Sequence, residues 1–340
     1  MDKDTPADAT MEPVPDRRPS PGGERSFASV ELPNINLSVG RSCFTRCDGC
    51  YNHFGRSRIP LATATLLRFL VDMRSLGFRR VTFCGGDPLS RRDFLDITAE
   101  AHGAGFAVKI DSVGTPILGR AETQFFGQES VPRIDLSELA PYVEMFGVPL
   151  DGIDNTQCLE FRKGRPGIYE ETLRIVDALE AHSIDVCVNT VVHKLNATTI
   201  HRLVDVLRRH RGIRRWQLFQ YQASGPLGFA SRGKYAISDD VFLAVVDRII
   251  DRSRDCSFGD RIEFKGNWQR KDRYLLVDTD GQIWVPEYDE GSGIPESPNR
   301  HIISDLSGRY VEDVCAYLEK LGVPGIDPAD PGAEEEEVER

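Results

Sequence analysis

Apolar runs and helical stretches alternate from residue 32 to residue 222. Ile35–Val39 reads as a short strand. Ala62–Leu76 puts Leu66, Leu67, Leu70 and Met73 on one helical face, with Gly77 as a stop. Arg80–Cys84 is a strand that breaks at Gly85-Gly86. Asp93–His102 is a helix, and Phe106–Ile110 is a third strand. Tyr142–Leu150, Ile184–Val192 and Trp216–Tyr221 give three more strands, spaced by helices at Tyr169–His182 and Thr199–Arg208. Each strand is apolar enough to be covered on both faces. That predicts an α/β fold with a parallel sheet under helices.

The rhythm changes after Gln222. Asp239–Ser253 and Tyr310–Leu321 read as helices. Tyr274–Val277 and Gln282–Val285, joined by Asp278-Thr279-Asp280-Gly281, read as a β-hairpin. The expected division is a core over 29–224 and a small C-terminal α+β cap over 225–325. Residues 1–28 are rich in Pro, Asp, Arg and Gly and read as a disordered tail. Residues 326–340 include the run Glu334–Glu337 and read as an acidic, solvated tail.

Composition narrows the function classes. Lys plus Arg is 42 against 53 for Asp plus Glu, a formal charge of -11. That balance weighs against nucleic acid and anionic membranes as partners. No apolar stretch is long enough to span a bilayer, and the N-terminus has no secretory signal pattern. Both point to the cytoplasm. The eight cysteines are then read as metal-binding or core thiols, not as a disulfide framework. Cys84, Cys158 and Cys187 fit core positions.

Three cysteines carry candidate chemistry. Cys43, Cys47 and Cys50 follow the first strand at C-x3-C-x2-C spacing. One loop of this kind offers three thiolates to an iron–sulfur cubane and leaves a fourth iron open. Zinc is the alternative metal, with His53 as a fourth ligand. It would make the chain a zinc-binding regulatory module.

The cysteine loop, followed at the next strand end by Gly85-Gly86-Asp87-Pro88, resembles the radical S-adenosylmethionine (SAM) superfamily and its GGEP turn. Lys109-Ile110-Asp111-Ser112-Val113-Gly114-Thr115 resembles the DTNGT strand end of glycyl-radical activating enzymes in that superfamily. Asp151-Gly152, followed by Arg162-Lys163-Gly164, resembles another of its stretches. The resemblance covers about 32–222. It implies a partial (β/α)6 TIM-like barrel with its reactive face at the strand C-termini. It implies a [4Fe–4S] cluster on Cys43, Cys47 and Cys50, with SAM on the open iron. Tyr51, Gly85, Gly86, Asp87, Pro88, Asp111, Ser112, Asp151, Asn189 and Gln220 are then the candidate SAM contacts. Asp87 and nearby carbonyls are expected to hold the SAM amino group. The family places an aromatic before the third cysteine, where this chain has Gly49. That leaves Tyr51, Phe54 or backbone to meet the adenine.

The resemblance also implies reductive cleavage of SAM to a 5′-deoxyadenosyl radical, and a flavodoxin- or ferredoxin-type electron donor. Only Cys256 and Cys315 follow residue 222, which argues against a second cluster. Trp216–Gln220 and the strand at Tyr274 are similar to viperin-like and actinobacterial natural-product enzymes. This implies a small polar substrate, a nucleoside or sugar, and a decarboxylation, dehydration or epimerisation. Lys265, Trp268, Arg270, Glu287 and Tyr288 are candidates to bind it. A peptide-modifying maturase is the second reading within the same chemistry.

Overall fold

The computed structural model describes residues 32–52, 61–256, 258–288 and 295–323. The two expected tails, His53 and Phe54 lie outside the described residues. Ten strands form one sheet. They are β1 (Asn34–Gly40), β2 (Arg80–Gly85), β3 (Ala107–Asp111), β4 (Met145–Pro149), β5 (Val186–Val192), β6 (Ile213–Gln220), β7 (Ile262–Lys265), β8 (Tyr274–Val277), β9 (Gln282–Pro286) and β10 (Arg300–Asp305). The spatial order is β7-β6-β5-β4-β3-β2-β1-β8-β9-β10. Strands β1 to β6 therefore lie side by side in chain order, and every pairing from β7 to β8 is parallel. The expected hairpin is present as the antiparallel pair β8–β9, and β10 extends it.

The sheet curls into an open barrel. Lys109 on β3 donates to Gln217 on β6 at 3.1 Å across the interior. Lys265 at the end of β7 donates to the hydroxyl of Tyr274 on β8 at 3.2 Å, although six strands stand between β7 and β8 in the sheet. Helices cover the outer surface. The main ones are α1 (Thr63–Ser75), α2 (Phe94–Gly103), α3 (Ile168–Ala181), α4 (Asp239–Ser253) and α5 (Tyr310–Lys320). The apolar face of α1, Leu66, Phe69, Leu70 and Met73, is buried. Helix α4 starts on a Ser238 cap that accepts from the Val241 amide, and Asp239 and Asp240 in its first turn suit the helix dipole. Among the described residues, no helix is long and apolar enough to cross a membrane.

Three expectations are corrected. The strands are not apolar on both faces. Alternate residues of β1, Ile35, Leu37 and Val39, are buried in the helix-covered core, whereas Asn34 and Asn36 line the interior. The same alternation sets Val81 against Arg80 and Thr82, Val108 against Lys109, and Trp216 and Leu218 against Arg215 and Gln217. A period of two puts successive side chains on opposite faces, so one face can be apolar while the other stays polar. The βα rhythm also runs one unit further than expected, because α4 leads into β7 beside β6. Strand β7 has the sequence Ile-Glu-Phe-Lys, too short and too charged on its inner face to register as an apolar run. The segment Thr199–Arg208 is a short 3-10 turn, Ile200–Leu203, running into a single α turn, Val204–Leu207.

The alternation predicts unequal costs at adjacent positions of β1. Leu37→Ala, on the buried face, is expected to lose about 2–5 kcal/mol of stability in urea unfolding. Asn36→Ala, facing the interior, is expected to lose about 0.5 kcal/mol or less, as at positions that break no packing.

Candidate active site at the mouth of the barrel

Cys43, Cys47 and Cys50 follow β1 at the C-terminal end of the barrel, and the loop that carries them is tied down from several sides. The Cys43 amide donates to the Phe125 carbonyl at 3.1 Å, and the Gln124 amide donates to the Cys43 carbonyl at 2.8 Å. Arg46–Cys47 pairs antiparallel with Arg162–Lys163. The carboxylate of Asp48 accepts from Lys163 at 2.6 Å and from the Tyr235 hydroxyl at 3.0 Å, and these partners hold it below the usual carboxylate range. All three cysteines line one cavity of about 550 Å³.

The turn at Gly85-Gly86-Asp87-Pro88 locks onto this loop. The Gly86 amide donates to the Gly40 carbonyl and the Asp87 amide to the Ser42 carbonyl, both at 2.7 Å. A Cβ on Gly86 would lie 2.3 Å from the Ser42 oxygen, and one on Gly85, at φ +130°, would lie 2.6 Å from the Gly40 oxygen. Only glycine fits this approach of two backbones. The Asp87 carboxylate accepts from the Leu89 amide at 3.0 Å, the Ser112 hydroxyl at 2.8 Å and the Val113 amide at 2.7 Å. It therefore joins the ends of β2 and β3. Burial pushes it up to about 6 against the pull of these bonds.

Asp151 works from behind the loop. It is buried and does not line the cavity. Its carboxylate accepts from the Val191 amide at 2.7 Å and pairs with Arg162. Arg162 then directs Nη1 to the sulfur of Cys47 at 3.4 Å. Burial pushes the Cys43 thiol up to about 12, and it raises Cys47 too, with Arg162 pulling the other way.

Gly49 has a local reason. A Cβ there would meet the Tyr221 ring at 2.6 Å and the Phe161 ring at 2.9 Å. Those two rings fill the space that an aromatic before Cys50 would need.

The cavity gathers most of the residues singled out from the sequence. Tyr51, Gly85, Gly86, Asp87, Asp111, Ser112, Asn189, Gln220, Lys265, Arg270 and Tyr288 line it with the cysteines. Gln220 is nevertheless committed to structure. It donates to the Ile237 carbonyl and Asp239, and accepts from the Asn267 amide. Pro88, Asp151, Trp268 and Glu287 are not among the lining residues. Trp268 packs edge-on against Phe242, and Glu287 is an exposed partner of Ser297. Sequence reasoning did not single out Gln217, Glu263 or Tyr274 as site residues, and it named Lys109 only as part of the strand end at Asp111. They form a chain along the interior. Asn189 donates to Asp111 at 2.9 Å and Lys109 pairs with Asp111 at 3.1 Å. Gln217 donates to Glu263 at 2.7 Å, and Glu263 pairs with Arg215 at 3.0 Å. The signal that marks these residues is their inward place in the period-two pattern.

The family model for the radical SAM superfamily matches residues 37–207. The chain belongs to this superfamily. The cofactors that go with it are a [4Fe–4S] cluster and SAM. The donor set fits them. Buried thiols are costly to ionise alone, and iron supplies the compensating charge. The chain is similar to the Fe-coproporphyrin III synthase of Methanosarcina barkeri, with 26% identity over 245 residues, 70% of this chain and 56% of that protein. It is similar to the AdoMet-dependent heme synthase of Oleidesulfovibrio alaskensis, with 25% identity over 64% of this chain and 52% of that protein. It thus spans little more than half the length of these relatives. In fold it is similar to Streptococcus suis SuiB bound to S-adenosylmethionine, with a TM-score of 0.58 and 14% identity over 83% of this chain and 65% of that one.

The Arg162 contact generates a test. Arg162→Gln removes a positive charge and a charged donor beside Cys47, so the reconstituted cluster is expected to have a more negative reduction potential. A redox titration followed by electron paramagnetic resonance (EPR) reads this. An unchanged potential would show that Arg162 does not act on the cluster.

Proposed function

We propose that the chain cleaves SAM reductively and acts on a small polar substrate held in the barrel interior. The observation that carries this reading is that the three clustered thiols and the polar chain from Asn189 to Glu263 line the same cavity. The chemistry that cluster and SAM supply together is one-electron cleavage of the C5′–S bond and removal of a hydrogen atom from the substrate. Cys43, Cys47 and Cys50 hold the cluster, and Arg162, backed by Asp151, steadies Cys47. Gly85, Gly86, Asp111, Ser112 and Asn189 face SAM, with Tyr51 at the mouth. Asp87 acts by positioning the turn at Ser112.

The substrate wall comes from Lys109 and Gln217 together with residues of the C-terminal region 225–325, namely Glu263, Lys265, Arg270, Tyr274 and Tyr288. A cavity of about 550 Å³ suits SAM and a small molecule, since small-ligand sites run from about 300 to 1,000 Å³. A nucleoside or sugar in natural-product biosynthesis is the reading that this polar lining favours, with decarboxylation, dehydration or epimerisation as the outcome. A flavodoxin- or ferredoxin-type protein would supply the electron. The barrel wall and the helices outside it shield the radical from water and stray hydrogen donors on the sides they cover.

The test is anaerobic. Protein reconstituted with iron and sulfide, given dithionite and SAM, is expected to release 5′-deoxyadenosine. Cys47→Ala is expected to fall to background. Retention of zinc in place of iron, with no SAM cleavage, would end this reading.

A further inference from the structure

The interior is not evenly charged. Lys109 is paired with Asp111 at 3.1 Å. Arg215 and Lys265 share a single carboxylate, Glu263, at 3.0 and 3.7 Å. Arg270, at the same side of the cavity, has no carboxylate partner among the described residues. Its Nη2 donates to the Gln220 carbonyl at 2.7 Å and to the Asn267 side-chain oxygen at 2.5 Å. Among the described residues its buried Nε has no acceptor, and the buried hydroxyl of Tyr288 has no partner. Both residues line the cavity. The surroundings of Arg270 are aromatic. Phe219 lies 6.0 Å from its guanidinium carbon, Tyr288 and Tyr274 line the same cavity, and burial disfavours the charged form of Arg270.

A buried cation without an anion is costly, and so is a buried donor without an acceptor. Chains keep such groups where a ligand completes them. Arg270 is also held in place before any ligand arrives, because the Gln220 carbonyl and the Asn267 side chain both engage Nη2 of its guanidinium. Arginine in this state suits an oxyanion better than a neutral hydroxyl.

We propose that Arg270 and Tyr288 form an anion-recognition subsite, and that the substrate carries a carboxylate or phosphate group that docks there. Lys265, one of two cations on one carboxylate, adds to the attraction. The proposal rests on the cavity being the substrate site. It narrows the substrate class from polar to anionic, such as a nucleotide, a sugar phosphate or a sugar acid. SAM also carries a carboxylate, so the test must separate the two sources.

The experiment uses the full chain with its cluster reconstituted and SAM bound. Inorganic phosphate and malonate are titrated calorimetrically at low salt into wild type, Arg270→Gln, Arg270→Lys and Tyr288→Phe. Arg254→Gln, an exposed residue paired with Asp251, is the control. Wild type and the control are expected to bind at least one probe at a single site. Arg270→Gln is expected to weaken that binding about tenfold or more, the loss of one charge-assisted contact. Arg270→Lys and Tyr288→Phe should lose less, and SAM affinity should stay unchanged in all of them. Tyr288→Phe decides the matter if Arg270→Gln fails to fold. The proposal is overturned if wild type binds neither probe, or if the variants bind as tightly as wild type. It is also overturned if Arg270→Gln loses SAM affinity, which would assign the subsite to the carboxylate of SAM. Release of 5′-deoxyadenosine is measured on the same wild-type sample. Its absence would count against SAM cleavage while leaving the anion titration to stand or fall alone.

Discussion

A curled parallel sheet has an outer face that must be covered and an inner face that need not be. Here the outer face buries Ile35, Leu37, Phe83, Ile110, Phe146, Val188, Trp216 and Leu218 under helices. At about 25 cal/mol per Å² of apolar surface, that one-sided core is the main source of stability. It frees the interior from packing duty. Lys109, Asp111, Gln217 and Glu263 can therefore stand inside the barrel and bond to one another. A barrel filled with branched apolar side chains would have no room for a ligand.

The same division explains the mouth. The cysteine loop begins where β1 ends, so the thiols sit at the edge of the polar interior rather than in the core. Backbone bonds from Gly86 and Asp87 to Gly40 and Ser42 join the loop to the end of β2. The Asp151–Arg162–Cys47 contact joins it to β4 and β5. Charge runs through that second link, because it brings a guanidinium to a thiol that burial would otherwise keep protonated. One loop thus responds to three separate strands, which is the kind of support a metal site needs to keep its geometry.

Local signals were legible in the sequence where the chemistry is contiguous. The C-x3-C-x2-C spacing and the Gly-Gly-Asp-Pro turn each lie within a few residues, and the structure puts them together. The long helices were legible because a single apolar stripe marks each of them, as in α1, whereas Thr199–Arg208 carries such a stripe and yet forms only short turns. The polar interior is written in Asn-Ile-Asn-Leu of β1, which alternates plainly, but other strands, β4 and β5 among them, carry apolar residues on enough of their inner positions to mask the alternation. Three features could not be read locally. Asp151 lies near its motif partner Arg162, yet its place behind the loop depends on β5. Gly49 is explained by Tyr221, far along the chain. The uncompensated state of Arg270 appears only when its neighbours in space are known, because neither Asn267 nor Gln220 marks it in sequence.

The central claim is that three cysteines of one loop hold a cluster with an open iron that faces the cavity. EPR of the reconstituted, dithionite-reduced protein tests it most directly, recorded with and without SAM. The account predicts a [4Fe–4S] signal that changes when SAM is added, because SAM coordinates the open iron. A reduced cluster whose spectrum ignores SAM, or a protein that takes up zinc and no iron, would contradict it.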